Sequence, residues 1–170
     1  MPSWALARRR VSILATVITT AAFAVWFQRW SLDGVQGIVL TALLHQDTAY
    51  AAGYTDRAFR SVRITMTEEQ VQSLLGPPLG VTWSYRASRP QGCASVHFRN
   101  GRTRSWAFDE CEKLGIRTGL PIDDAAVLLG APNEVYWLYS ESPSDTHYHE
   151  RVIRFSKGQV VEVIKGWYLD

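Results

Sequence analysis

His147 and His149 stand one residue apart in the run Asp145-Thr146-His147-Tyr148-His149-Glu150. Alternate side chains of an extended strand share a face, so the pair could offer two imidazoles to one zinc ion. The competing reading is a polar loop running into a strand. His97 is a lone histidine between Val96 and Phe98, and a third ligand would have to come from elsewhere. Cys93 and Cys111 flank a hairpin signal at Asn100-Gly101. Simple pairing about that turn sets Cys93 opposite Phe108, so a disulfide between Cys93 and Cys111 needs a bulge or a bend. Two free buried thiols are the alternative. Two cysteines alone cannot make a four-ligand zinc site, and nothing adjacent in sequence orients either one as a nucleophile. Asp109, Glu110 and Glu112 surround Cys111, as a paired-carboxylate site or as a solvated connection. There is no phosphate-loop, dinucleotide or metalloprotease motif. The chain reads as a non-enzyme, with no metal and no cofactor expected.

Binding is the other chemistry on offer. Trp83, Tyr85, Trp106, Trp137, Tyr139 and Trp167 are many large aromatics for so small a domain. Tryptophan and tyrosine are the side chains expected at interface centres, so these six form a candidate protein-binding surface. The alternative is that most of them make a shared core.

An internal repeat must position them. Residues 62–85 and 116–139 align without a gap at an offset of 54. Leu74-Leu75-Gly76 meets Leu128-Leu129-Gly130, Pro78 meets Pro132, Val81 meets Val135, Trp83 meets Trp137 and Tyr85 meets Tyr139. A second alignment, at an offset of 57, brings Phe98 onto Phe155 and Gly101 onto Gly158. Thr67 with Gln70 forms a capping-box pattern, Val71, Leu74 and Leu75 share a helical face, and Gly76 suits a left-handed cap. In the second copy Pro121 opens the helix and Ala125, Leu128 and Leu129 are its buried face. Alternating Val81, Trp83, Tyr85 and Val135, Trp137, Tyr139 predict strands, followed in each copy by a hairpin at Asn100-Gly101 and at Ser156–Gly158.

This pattern resembles the SmpA/OmlA-type module of BamE-like outer-membrane assembly lipoproteins, and the tandem form of that fold in β-lactamase inhibitor proteins. The residues carrying the resemblance are Ile64-Thr65-Met66-Thr67, Glu69-Gln70-Val71, Leu74 to Pro78, Val96-His97-Phe98 and Gly101. In the second copy they are Gly119-Leu120-Pro121, Leu128 to Pro132, Phe155 and Gly158. The resemblance covers about residues 62–168. It implies an extracytoplasmic protein-binding or envelope-structural role without enzyme chemistry.

The formal net charge of +2 is misleading, because Arg8, Arg9, Arg10 and Arg29 all lie in the first thirty residues. Residues 31–170 hold 14 Lys+Arg and 16 Asp+Glu, so no basic footprint for nucleic acid is present. Three arginines ahead of the uncharged run from Val11 to Phe27 predict a retained membrane anchor, with Trp26, Phe27 and Trp30 at the far interface. A cleaved signal peptide, with Ala22-Phe23-Ala24 as its small-x-small site, is the alternative. Val35, Ile38, Val39, Ala42 and Leu43 fall at helical spacing, and Tyr50, Tyr54 and Phe59 look like anchors of the segment leading in.

The expected fold class is therefore α+β: an N-terminal transmembrane helix followed by two tandem helix-plus-antiparallel-sheet modules. Residues 1–30 are a membrane anchor or signal segment, 31–61 a helical linker, 62–115 the first module and 116–170 the second. The expected function is a membrane-tethered, periplasmic protein-binding or envelope-assembly module, held through residues 11–27 with an envelope or membrane protein as partner. The alternative is a structural or sensory domain that binds a small ligand or envelope polymer through an aromatic sheet surface. The alternative location, with the signal cleaved, is secreted or periplasmic.

Overall fold

The computed structural model describes residues 15–24, 26–27, 33–34, 37, 39–41, 43, 47–85, 93–108, 110–144 and 147–168. The chain divides into two compact units, Met1–Leu44 and His45–Asp170. In the first unit, residues 15–24 and 26–27 are helical and exposed. Thr19 and Thr20 return their hydroxyls to the carbonyls of Ala15 and Thr16, at 2.9 Å each. Phe23 contacts the rings of Trp26 and Phe27.

No helix among the described residues is long and apolar enough to cross a membrane. This corrects the expected transmembrane helix at 11–27, and with it the single-pass location, the membrane tether and the tethered assembly role. A spanning helix needs roughly 20 apolar residues, and the helical residues described in that segment are 15–24 and 26–27. Arg8, Arg9, Arg10, Arg29 and Trp30 lie outside the described residues, as do Val35, Ile38, Ala42, His45, Asp109 and Asp145.

The second unit runs β1 (Ala49–Tyr50), α1 (Asp56–Ser61), α2 (Glu68–Leu75), β2 (Gly80–Ser84), β3 (Ser95–Arg99), β4 (Arg102–Ala107), α3 (Glu110–Lys113), α4 (Ile122–Leu129), β5 (Glu134–Leu138), β6 (Ser140–Glu141), β7 (Tyr148–Ser156) and β8 (Gln159–Tyr168). The linker expected to be helical through 61 thus contains a short strand before its helix. Capping and turn chemistry set the boundaries. Thr67 and Gln70 make both bonds of the capping box on α2. Gly76 and Gly130 end α2 and α4 with φ of 74° and 71°, a region open to glycine at little steric penalty. Asn100 and Gly101, then Lys157 and Gly158, supply the paired positive φ angles of the two tight hairpins.

Six strands form one antiparallel sheet in the order β4-β3-β2-β5-β7-β8, and β1 pairs β6 separately. The repeats meet at the β2–β5 seam. There Val81 pairs Trp137, Trp83 pairs Val135, and Thr82 faces Tyr136 between them. Moving each partner to its repeat equivalent turns the first pair into the second, so the seam has the self-complementary form of an isologous contact. Register shifts recur at equivalent places, between His97 and Phe98 and between Arg154 and Phe155.

The helices are exchanged between the repeats. Ala125 and Leu129 of α4 belong to one buried cluster with Tyr85, Val96 and Phe98 of the first repeat. The start of α2 is tied to β8 by Thr65 N–H to Val160 O (2.9 Å) and Val160 N–H to Met66 O (2.8 Å). Gly119 N–H to Thr103 O and Thr103 N–H to Leu120 O, both 2.8 Å, tie the start of α4 to β4 in the same way. At the other ends, Tyr139 donates its hydroxyl to the Gly76 carbonyl and Tyr85 donates to Gly130, each at 3.1 Å. Each helix is fastened at both ends to the strands of the other copy.

Short helices add one further tie per half. In the first, Cys93 and Cys111 are joined by a disulfide that pins α3 to the chain entering β3. The extra residue at the bulge, Arg104 of β4, and the turn of α3 together supply the bend that simple pairing lacked. In the second half the tie is polar. Arg151, only 1% exposed, donates Nε to Tyr54 Oη at 3.1 Å, and Tyr54 donates to Asp56 of α1 at 2.8 Å. Burial pushes the Tyr54 phenol well above its ordinary range, against the opposing pull of Arg151. Tyr54 also stacks on Tyr50, with ring centres 4.7 Å apart, and touches Phe59 and Tyr139.

Candidate functional site

Side chains alternate across the sheet, so Val81, Trp83, Val135 and Trp137 all point to the face that carries α2 and α4. Outward along the same rows, Val96, Phe98, Ile153, Phe155 and Val160 are fully buried. The four central residues are covered less completely. Between the helices they form the floor of a cleft of about 390 Å³. Pro78 and Pro132 border it, and the first turn of each helix supplies a wall, Glu68 with Gln72 on one side and Ile122 on the other. A neighbouring cavity of about 410 Å³ shares Pro78, Val81 and Ile122 with it. Both volumes fall in the range of small-molecule pockets.

The floor follows the repeat. Trp83 leans on Phe98 with centroids 4.6 Å apart and planes at 59°, and Trp137 leans on Phe155 at 4.7 Å and 53°. Such tilted pairs hold the indoles in fixed orientations. Trp83 and Trp137 are diagonal neighbours across the seam, within reach of large aromatic side chains. Trp137 is 8% exposed, whereas Trp83 is half-buried, so the cleft offers more of Trp83.

The walls do not follow the repeat. Glu68 occupies the position equivalent to Ile122, and Gln72 the position equivalent to Ala126. Burial, then the neighbouring Glu69, push the Glu68 carboxyl above its usual range. The hydrogen bond from Thr67 holds Glu69 below it. The cleft is thus an aromatic and proline-edged slot with a carboxylate and an amide on a single wall.

The six aromatics proposed as one surface separate into four places. Trp83 and Trp137 share the cleft. Tyr85 and Tyr139 are buried and hold the helix ends. Trp106 packs against the cluster under α4, and Trp167 sits edge-on to His149 with ring centres 4.7 Å apart. His149 is itself buried, whereas Glu150 belongs to the opposite face of its strand, and no metal-holding group of His, Cys, Asp or Glu occurs among the described residues. His97 accepts or donates at 2.9 Å with Thr82 on the helix-free face, and burial followed by Arg104 lowers its pKa.

Sequence reasoning missed Pro78, Val81, Pro132, Val135 and Glu68 as site residues. Four of these are identities between the repeats, and identity across a two-fold seam was the signal that pointed to them. No family model, curated protein or solved structure matches the chain.

Proposed function

We propose that this chain is a non-catalytic binding domain that holds a small ligand in the cleft across its repeat seam. The observation that carries the reading is the pair Trp83 and Trp137, set by the two-fold seam on the floor of a 390 Å³ slot. A slot of this kind buries a flat or apolar body, and a few polar groups orient it. Among the described residues its lining holds a single carboxylate, whereas general acid–base chemistry commonly uses a matched pair of titrating groups. The disulfide fits an oxidising compartment. Kinship with the SmpA/OmlA-type module is part of the same proposal. It is supported by the order of each repeat, one helix and then three strands of the shared six-stranded antiparallel sheet.

The test is chemical-shift mapping of the labelled protein against a set of small aromatic compounds. Shifts should gather on the Trp83 and Trp137 indoles and their valine neighbours, and weaken in Trp83→Ala. Shifts centred on Trp106 or Trp167, or none anywhere, would overturn the reading.

A further inference from the structure

Resting on the cleft reading, we propose that its ligand is a small organic cation, with an ammonium or guanidinium group joined to an apolar body. The walls break the symmetry that the floor keeps. A floor of two tryptophans, two valines and two bordering prolines has no preferred direction under the two-fold. Glu68 supplies one, since its equivalent on the facing wall is Ile122.

Among the described residues Glu68 is also the only charged one lining the cleft, and no described lysine or arginine lines it. Among the described residues no ion pair neutralises it, although Arg99, Lys113 and Arg154 all have carboxylate partners elsewhere. It is half-buried and next in sequence to a second carboxylate, Glu69. Asp123 and Asp124 extend the same sign of charge along the first turn of α4. A partly desolvated carboxylate without a counter-ion gains most from a cation brought by the ligand. The indole faces add to this. A cation within about 6 Å of an indole centroid is attracted by the ring quadrupole. Trp83 and Trp137 line the same cleft as Glu68, and Trp83, the less covered of the two, offers most of that aromatic surface. An anion would meet Glu68 and the negative faces of both rings, and would be excluded.

The test compares 2-phenylethylamine, 2-phenylethanol and 3-phenylpropionate by chemical-shift titration of the full chain. The amine should bind about tenfold more tightly than the alcohol, as one charge-assisted hydrogen bond provides. The carboxylate should be the weakest. Glu68→Gln should bring the amine to the level of the alcohol. Glu68→Lys should reverse the order of amine and carboxylate, which a variant that had merely lost its fold would not do. Equal binding of amine and alcohol, both centred on Trp83 and Trp137, would overturn the cation assignment and leave the cleft standing. Failure of all three probes to move those indole signals would overturn both.

Discussion

The exchanged helices rest on two crossing hydrogen bonds, and these can be removed one atom at a time. Tyr139→Phe deletes the donor to Gly76, and Tyr85→Phe deletes the donor to Gly130. The bonds are equal in length, but their surroundings differ. Tyr139 is fully buried and Gly76 is half-buried, whereas Gly130 is exposed. Water can replace the lost donor at Gly130 far better than at Gly76. Tyr85→Phe should therefore cost about 0.5 kcal/mol, near the floor for a net hydrogen bond, and Tyr139→Phe about 1.5 kcal/mol because an acceptor is left poorly solvated. With a urea m-value of roughly 1.5 kcal/mol/M, the midpoints should fall by about 0.3 M and about 1 M at unchanged m. The assay is equilibrium urea unfolding followed by tryptophan fluorescence and by far-ultraviolet dichroism together. A larger loss in Tyr85→Phe than in Tyr139→Phe, or no loss in either, would show that these bonds do not hold the helices to the opposite strands.

Burial raises the Tyr139 pKa above its unfolded value, so its contribution to stability is present below about pH 10 and fades as pH rises toward the folded pKa. Tyr139→Phe should therefore flatten the alkaline limb of the stability profile between about pH 10 and 12, read from urea midpoints across that range. Replacing both Cys93 and Cys111 by alanine reopens a loop with a sequence separation of 18. Loop entropy puts the loss at about 3 kcal/mol, measurable by denaturant titration with and without reductant. Leu129→Ala empties a site 4% exposed in the core and should cost about 2–5 kcal/mol, while Val127→Ala on the same helix, at 85% exposed, should stay within about 0.5 kcal/mol. Thermal unfolding of the pair checks both.

The local elements were legible because their chemistry is local. Thr67 and Gln70 announce the start of α2, Asn100-Gly101 announces a hairpin, and alternation from Val81 to Tyr85 announces a strand. The exchange of α2 and α4 was not legible. The spacing of Val71 and Leu75 says that one helical face is buried, and it does not say against which strands. Strand β1, two residues long, is too short to show any alternation. Arg151 defeats the rule that charged residues stay outside, because Tyr54 and two backbone carbonyls satisfy it in place of water. Among the aromatics, tyrosine and tryptophan at neighbouring strand positions took opposite roles. Tyr85 and Tyr139 fall just past the strand ends, where a hydroxyl can reach a helix cap, while Trp83 and Trp137 lie inside the seam.

The seam has the form of a homodimer interface carried within one chain. Two free copies of one repeat would have to find each other, and their association would depend on concentration. Joined by a short connection, the second copy is always present at a high effective concentration, and assembly becomes a folding step. A true homodimer must also show the same residue on both walls of any groove along its axis. It can grip a symmetric ligand, or hold an asymmetric one in two equal poses. The joined chain is free of that obligation. Glu68 on one wall and Ile122 on the other are what such freedom allows: a groove with a head and a tail, built from two halves that began alike.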